Sequence, residues 1–215
     1  MHGYSTDSNE RRYVPLFLAA LAIALAWVSS RLLIFFRLSI PWWLDAPSTL
    51  GLYGLFYTLF DKYLWRGRVL HKLGISKIPN LAGCWRGFLL SSFDRPAKRH
   101  DVMLQIFQSW THISVYLTTA TSISRSCAAV VEVSDPDSVA LVYQYENQPL
   151  ADAMKTMHMH YGTAVLRISG DTLTGEYYAG RDRRTYGRIC CWKNENRGSQ
   201  VLHLSPVTRD PSAIQ

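Results

Sequence analysis

The chain has 215 residues, of which 48% are hydrophobic and 18% are charged, and it carries a formal net charge of +7. The charge is uneven, because residues 1–80 hold nine Lys and Arg against four Asp and Glu, whereas residues 81–215 hold fourteen against twelve. This balance indicates a membrane-flanking segment beside one domain of ordinary size, and it argues against a nucleic acid polymer as a partner.

Two apolar runs dominate the N-terminal part of the chain. Val14–Phe36 would be roughly 34 Å long as a helix, enough for a hydrocarbon core of about 30 Å. Pro47–Trp65 would be roughly 28 Å long and would only just span, and its Gly51 and Gly54 would allow close helix approach. In chain order we predict a disordered cytoplasmic tail over 1–12, a transmembrane helix over 13–38, a short external loop over 39–46, a second transmembrane helix over 47–66 and a basic linker over 67–79.

The Lys and Arg residues predict the orientation. Arg11 and Arg12 precede the first run, several basic residues follow the second, and none lies between Leu38 and Asp61. The positive-inside rule therefore places both termini in the cytoplasm. One alternative stays open, because the two arginines followed by apolar residues and the Ala-Leu-Ala of 24–26 also fit a cleaved secretory signal.

From Leu81 onward the sequence alternates between apolar and polar residues, with turn signals between short runs. We predict eight strands, over Gly83–Ser91, Asp101–Trp110, His112–Thr119, Ser124–Val133, Val139–Asn147, His158–Ile168, Thr172–Ala179 and Thr185–Trp192. Eight short strands with near-uniform connections predict an antiparallel up-and-down barrel over 80–206, followed by a tail over 207–215. Such a barrel is either filled or holds one small ligand, and a two-sheet sandwich is the alternative fold.

Aromatic residues are frequent on the predicted strands. Trp85 lies between two glycines, an arrangement that suits an indole closing one end of a barrel. Tyr143 and Tyr145 share one strand face, and Trp110 and Tyr177 lie on other strands. Aromatic rings with a polar edge are platforms on which nucleobases stack.

A cationic hairpin adds a second signal. Thr185 and Tyr186, at the start of the last predicted strand, lie among the four arginines Arg181, Arg183, Arg184 and Arg188. Guanidinium groups bind phosphate oxygens bidentately. Together with the tyrosines, these residues favour a compact anionic, aromatic ligand over a fatty one.

Signals of catalysis are weak. The sequence has no nucleophile elbow, phosphate loop or dinucleotide fingerprint. His158 and His160 would share a strand face, but no third metal ligand is apparent, and the four cysteines lack metal-binding spacing. We therefore expect no enzyme, no metal site and no cofactor, and scarce thiols that suit a reducing compartment.

Several motifs carry a family resemblance when they occur in this order behind two apolar runs. They are Leu81-x-Gly83-x-Trp85-x-Gly87, Gln108-Ser109-Trp110-Thr111-x-Ile113-x-Val115, Leu141-x-Tyr143-x-Tyr145-x-Asn147-x-Pro149, His160-x-Gly162-Thr163-Ala164 and Leu173-x-Gly175-x-Tyr177, with Arg181 and Thr185-x-Gly187 after them. The chain resembles the SMODS-associated two-transmembrane, β-strand-rich effectors of bacterial CBASS antiphage defence.

This resemblance implies a lipocalin-like barrel that senses a cyclic dinucleotide made by a partner nucleotidyltransferase. It also implies a homo-oligomer that forms on activation and disrupts the lipids of the inner membrane, in which the chain would be a multi-pass protein. In the resulting hypothesis, bases stack on tyrosines and arginines meet phosphate. The candidate ligand-binding residues are Trp85, Trp110, Tyr143, Tyr145, Tyr177, Arg181, Arg184 and Thr185.

Two other functions remain open at this point. The chain would then be either a membrane-tethered binding protein for a lipid or haem-like ligand without killing activity, or a structural adaptor whose barrel is filled.

Overall fold

A β-barrel follows two helices in the computed structural model, which describes residues 1–36, 42–93, 98–135, 138–154, 157–180 and 184–194, without the side chains of 42–48. The helices are α1 (Glu10–Phe35), α2 (Trp42–Lys62) and α3 (Arg68–Lys72). The strands are β1 (His2–Gly3), β2 (Ser5–Thr6), β3 (Gly83–Ser91), β4 (Arg99–Gln108), β5 (His112–Thr118), β6 (Ser122–Glu132), β7 (Ala140–Pro149), β8 (His160–Ser169), β9 (Thr172–Ala179) and β10 (Tyr186–Lys193).

Strands β3 to β10 form a closed antiparallel barrel in which each strand pairs with its neighbours in the chain. The first and last strands close it, with Phe88 opposite Cys190. Inward and outward positions alternate, so that Val102, Leu104 and Ile106 of β4 are buried while the residues between them are more exposed. The prediction of an eight-stranded up-and-down barrel is confirmed, and each predicted strand agrees with an observed one within two residues at either end.

The first residues of the chain are ordered, so the expected disordered tail over 1–12 is wrong. Strands β5 and β6 pair only over their ends at 116–118 and 123–125. Further along, β1 pairs with β5 and β2 pairs with β6, so that Tyr4 is buried in the gap between them. Sequence reasoning missed this because two-residue strands carry no periodicity; their pairing partners lie more than 100 residues away.

The two helices pack side by side. Val14, Leu18 and Ala22 form a buried stripe at every fourth position of α1, and Phe60 of α2 is buried in the same cluster. Among the described residues, α1 alone has the length and hydropathy of a membrane-spanning helix. Helix α2 begins five residues before the predicted start at 47, with Pro47 in its second turn.

Two details of the predicted hairpin change. Part of the linker over 67–79 is helical, since α3 lies within it. Gly51 and Gly54 do not mediate contact between α1 and α2, because a Cβ atom at either position would meet no other atom within 4 Å. Both glycines are exposed on α2.

Candidate functional site

One end of the barrel is open and leads into a cavity of about 500 Å³. This volume lies within the range of roughly 300–1,000 Å³ that is common for small-ligand sites. We call this open end of the barrel the mouth. The cavity is lined by residues from all eight barrel strands and from the connections at the mouth. The opposite end, next to α1 and α2, is filled by side chains and is called the closed end.

Tyr143 and Tyr145 project from β7 into the cavity. Their ring centroids are 6.2 Å apart, and both side chains are almost fully enclosed. A methyl group at Gly162, directly opposite on β8, would overlap the Tyr145 hydroxyl. The glycine therefore sets where the Tyr145 ring lies.

The same arrangement recurs on the neighbouring strands. Tyr177 of β9 lines the cavity, and its cross-strand partner is Gly187 of β10. A Cβ atom at Gly187 would overlap the backbone carbonyl oxygen of Leu90 in β3 and would also come within 2.7 Å of the Tyr177 ring. Thr185, just before β10, also lines the cavity. The structure thus brings together four of the predicted ligand-binding residues: Tyr143, Tyr145, Tyr177 and Thr185.

Asn147, two residues beyond Tyr145, is a buried polar residue that the prediction left out. Its Oδ1 accepts a hydrogen bond of 2.8 Å from the Ser124 hydroxyl, and its Nδ2 lies 3.3 Å from the Met157 sulfur. The sulfur can only accept, so the amide NH₂ must face it and Oδ1 must face Ser124. A thioether is a weak acceptor, so the amide keeps most of its donor capacity for a ligand in the cavity.

The rim of the mouth is basic. Lys98 precedes β4, Arg99 is its first residue, and the inward-facing His100 and then Asp101 follow, while His160 is the first residue of β8. The Arg99 guanidinium lies over the ring of Phe88, 4.6 Å from its centroid, and Phe88 does not line the cavity. The prediction of ligand-binding residues left out the run Lys98-Arg99-His100, because the sequence holds more arginines close together near position 181. Its position at the start of a strand adjacent to the mouth was the available signal.

Polar hydroxyl groups complete the lining. They come from strand ends and turns around the mouth, namely Ser91, Thr119, Thr121, Ser122, Ser124 and Thr185. Such groups donate to or accept from phosphate and base atoms, and they would be poorly matched to an acyl chain.

Burial raises the pKa of two groups in the barrel. It raises the pKa of Tyr143, with smaller contributions from Tyr145 and Cys191. It also raises the pKa of the Cys191 thiol to about 12, helped by Cys190. Both groups are neutral near neutral pH, and Tyr143, which lines the cavity, presents an uncharged ring to it.

The two predicted tryptophans lie elsewhere. Trp85 and Trp110 are buried at the closed end, and neither lines the cavity. The Trp85 Nε1 donates to the Leu81 carbonyl at 3.0 Å, and the Trp110 Nε1 donates to Glu10 Oε1 at 2.7 Å. Their position does not agree with the prediction that they bind the ligand, and it agrees with an indole that closes the barrel.

Trp110 also belongs to the contact between barrel and helices. Its backbone N–H donates to the carbonyl oxygen of Asp61 in α2, and its own carbonyl accepts from Arg11 in α1. The Asp61 carboxylate accepts from the backbone and the hydroxyl of Thr111, at 2.8 and 2.7 Å. The turn between β4 and β5 is therefore held by both helices.

The predicted arginine cluster is described only in part. Arg181 lies outside the described residues. Arg184 is exposed and does not line the cavity, and Arg188 faces outward beside Glu176 at 3.7 Å.

Comparison with known proteins agrees with this division of the chain. The family model described as the Cap15 cyclic dinucleotide receptor domain matches residues 76–193, and the model of the Cap15 TM helices matches residues 12–66. The CD-NTase-associated protein 15 of Yersinia aleksiciae is 31% identical over 150 residues, which cover 68% of this chain and 69% of that protein. The receptor-domain match contains the whole described cavity, and the other match covers most of α1 and all of α2. The chain therefore belongs to the Cap15 family of CBASS-associated proteins, which combine transmembrane helices with a cyclic dinucleotide receptor domain.

Proposed function

We propose that the chain is a membrane-anchored effector of antiphage defence that binds a cyclic dinucleotide in the barrel cavity. Binding drives self-association of the helices, and the assembled helices disrupt the inner membrane and stop the infection by killing the cell. The observation that carries this proposal is the cavity itself, in which tyrosines lie below a basic rim within the matched receptor domain.

The lining suggests how the ligand is oriented. Bases stack on Tyr145 and Tyr177, whose rings are positioned by opposing glycines, and Tyr143 forms the floor. The phosphates remain nearer the rim, where Lys98 supplies positive charge. Stacking contributes about 1–3 kcal/mol per base, so two stacked bases account for a large part of the affinity.

Asn147 adds discrimination between bases. Its Oδ1 is already engaged by Ser124, whereas its Nδ2 has a weak sulfur acceptor. The amide therefore donates best to a carbonyl, such as O6 of guanine or O4 of uracil, and less well toward the amino group of adenine or cytosine.

The closed end of the barrel couples ligand binding in the cavity to helices α1 and α2. Helices α1 and α2 both hold the turn at 109–111, which joins two strands that reach the cavity at their other ends. A ligand shifts this system only by binding the assembled form more tightly, and moving a 1:99 equilibrium to 99:1 takes about 5.5 kcal/mol of preference.

Self-association through α2 is supported by its exposed glycines. Gly51 and Gly54 are not used inside the hairpin, so a second copy is able to approach there. Confinement to one bilayer raises the effective concentration of copies and favours such contacts. Both termini lie in the cytoplasm in this proposal, where the signal of a partner nucleotidyltransferase accumulates.

The lipid-binding alternative is less well supported. An acyl chain or a haem favours a mostly apolar lining, and this cavity is rich in hydroxyl groups and holds a buried amide. Lipid binding would become the better reading if fatty acids, but no cyclic dinucleotide, raised the melting temperature of the protein.

The test uses the full chain in nanodiscs, titrated with a panel of cyclic dinucleotides by calorimetry. Replacing Tyr145 with leucine should weaken binding by about tenfold to a hundredfold, corresponding to one lost stacked base. The matched control is Tyr186→Leu, since Tyr186 is exposed on the outer wall of the barrel. Wild-type affinity in Tyr145→Leu, or no binding of any cyclic dinucleotide, would refute the proposed site.

A second readout tests the cellular role. Cells that produce the full chain together with the signal should leak a membrane-impermeant dye, and cells with Tyr145→Leu should not. Leakage that occurs equally without the signal would contradict ligand-driven disruption.

A further inference from the structure

The segment that joins α2 to the barrel, residues 63–77, carries an outward face that no part of the described chain covers. We propose that this segment, here called the collar, is a binding surface for the headgroups of anionic lipids. The proposal rests on the membrane insertion of α1 and α2 and does not depend on which ligand the cavity takes.

The collar is fixed rigidly to the barrel rather than hanging between domains. Trp65 is buried in the hydrophobic cluster of the closed end, and Leu70 and Ile75 pack against that cluster. Arg66 donates to the backbone carbonyl of Gln108, and the Lys77 N–H donates to the buried Glu10 carboxylate. Its outward face therefore has a defined orientation.

Contacts with α1 place the collar at the membrane surface. The Tyr13 hydroxyl donates to the carbonyl oxygens of Gly74 and Ile75, at 3.3 and 3.2 Å. Tyr13 immediately precedes the apolar run of α1, whose Leu16 and Phe17 are exposed. Residues at the depth of Tyr13 thus lie where the hydrocarbon begins and where headgroups are found.

The exposed apolar side chains of the collar lie together. Val69 of α3 and Leu73, the residue that caps the end of α3, are 68% and 67% exposed. They are four residues apart and Leu73 keeps a helical backbone conformation, so their side chains lie on the same side. Tyr63 and Leu64 are exposed in the preceding turn. Four exposed apolar residues in such a short segment fit insertion into the boundary between headgroups and acyl chains.

The collar is also strongly basic. Its exposed cations, with the adjacent end of α2, are Lys62, Arg66, Arg68, Lys72 and Lys77. The sequence holds no Asp or Glu between Lys62 and Asn80, and the preceding Asp61 is engaged by Thr111. Arg68 directly precedes Val69 and Lys72 directly precedes Leu73, so charge and apolar surface occur side by side.

This pairing identifies the occupant. A nucleic acid would be matched by the cations alone, and it would leave Val69 and Leu73 exposed to water. An anionic bilayer matches the cations and the apolar side chains together, because the apolar side chains enter the interface while Arg68 and Lys72 bind lipid phosphates. The same contact holds the mouth of the barrel away from the membrane, facing the solution.

Hydrogen–deuterium exchange on the full chain tests the proposal. Peptides covering 63–77 should exchange more slowly in nanodiscs with about one third phosphatidylglycerol than in pure phosphatidylcholine, by about fivefold for each cation engaged. Most of the difference should be lost in Arg68→Glu/Lys72→Glu, which replaces two of the five cations with anions. It should persist in the matched control Arg125→Glu/Arg167→Glu, which changes the same charge on exposed positions of the barrel wall.

Three outcomes would overturn the proposal. These are equal exchange of the collar in both lipids, an equal effect of the control variant, and protection by an added oligonucleotide in phosphatidylcholine discs. Titrating a cyclic dinucleotide into the same discs reports on the cavity separately. Loss of that binding with an intact lipid effect would therefore overturn the proposed function and leave the collar standing.

Discussion

At the closed end of the barrel, two tryptophans fill the space between the strands, and their ring N–H groups donate to oxygen atoms of the protein itself. At the mouth, tyrosines surround a cavity of about 500 Å³ below a basic rim. Both ends are aromatic, and both belong to the same sheet.

The comparison shows that aromatic content by itself does not mark a binding site. Trp110 is enclosed by Phe60, Glu10 and the ends of both helices, so no ring face is left for a ligand. Tyr145 rests on Gly162 and borders open volume. A ring is available for stacking only where the opposing position is small and the space above it is empty, and four predictions test this division.

The largest expected effect is on folding at the closed end. Trp110→Ala should lower the free energy of unfolding by about 3–5 kcal/mol, because it removes a large buried ring and leaves the Glu10 carboxylate without its indole donor. Chemical denaturation of the full chain in detergent measures it. Trp192→Ala, on the exposed outer wall, should cost less than about 1 kcal/mol.

A stable Trp110→Ala protein that had lost cyclic dinucleotide binding would break the comparison. That result would show that Trp110 binds the ligand, as the sequence analysis predicted.

A second, smaller effect is expected at the mouth. In Gly162→Ala the new methyl group would overlap the Tyr145 ring and would also come within 2.6 Å of the Tyr178 carbonyl oxygen, so both the ring and the adjoining strand must shift. Ligand binding should weaken about tenfold, within the range for one stacked base. Gly180→Ala is the control, since the nearest atom to its Cβ position is an ordinary 3.8 Å away. Equal affinities of the two variants, measured by calorimetry, would show that the position of the Tyr145 ring does not matter.

A third prediction concerns selectivity. Asn147→Leu should weaken binding of guanine- or uracil-containing cyclic dinucleotides by about threefold to tenfold, the effect of one hydrogen bond. An all-adenine ligand should change less. Gln148→Leu, at the exposed neighbouring position, is the control. An equal loss for all bases would mean that Asn147 shapes the cavity without reading the base edge.

The smallest expected effect is the pH dependence of the N-terminal strands. Partial burial acts to raise the pKa of Asp7, but hydrogen bonds from the amides of Val133 and Ser134 outweigh it and lower that pKa. The carboxylate therefore stabilises the fold above its unfolded pKa near 3.8 and stops doing so as the pH falls through the lower folded value.

The melting temperature of Asp7→Asn should accordingly lie slightly below that of the wild type at neutral pH, and the two should converge below about pH 3.8. A constant difference across this range would assign the effect to something other than the charge of Asp7.

The sequence by itself was enough to predict the two long helices, the eight barrel strands and the barrel. A period of two and turn residues are local signals, and Gly83–Ser91 and Thr172–Ala179 were predicted to the residue. The predicted barrel also implies the direction of each strand. If the strand that begins at Gly83 is counted as the first, Tyr145 and Tyr177 lie near the ends of the fifth and seventh strands, whereas Trp110 follows the end of the second. Odd and even strands run in opposite directions, so the two tyrosines and Trp110 must lie at opposite ends of the barrel.

Only the tertiary structure decided which end is closed and what closes it. Glu10, Tyr4 and Asp61 reach the barrel from residues that are far away in sequence, and no local pattern encodes such contacts. The same holds for Asn147, whose role depends on Ser124 of the neighbouring strand and on the Met157 sulfur. Backbone periodicity is a property of neighbours in the chain, whereas the enclosure of a side chain depends on everything that folds around it.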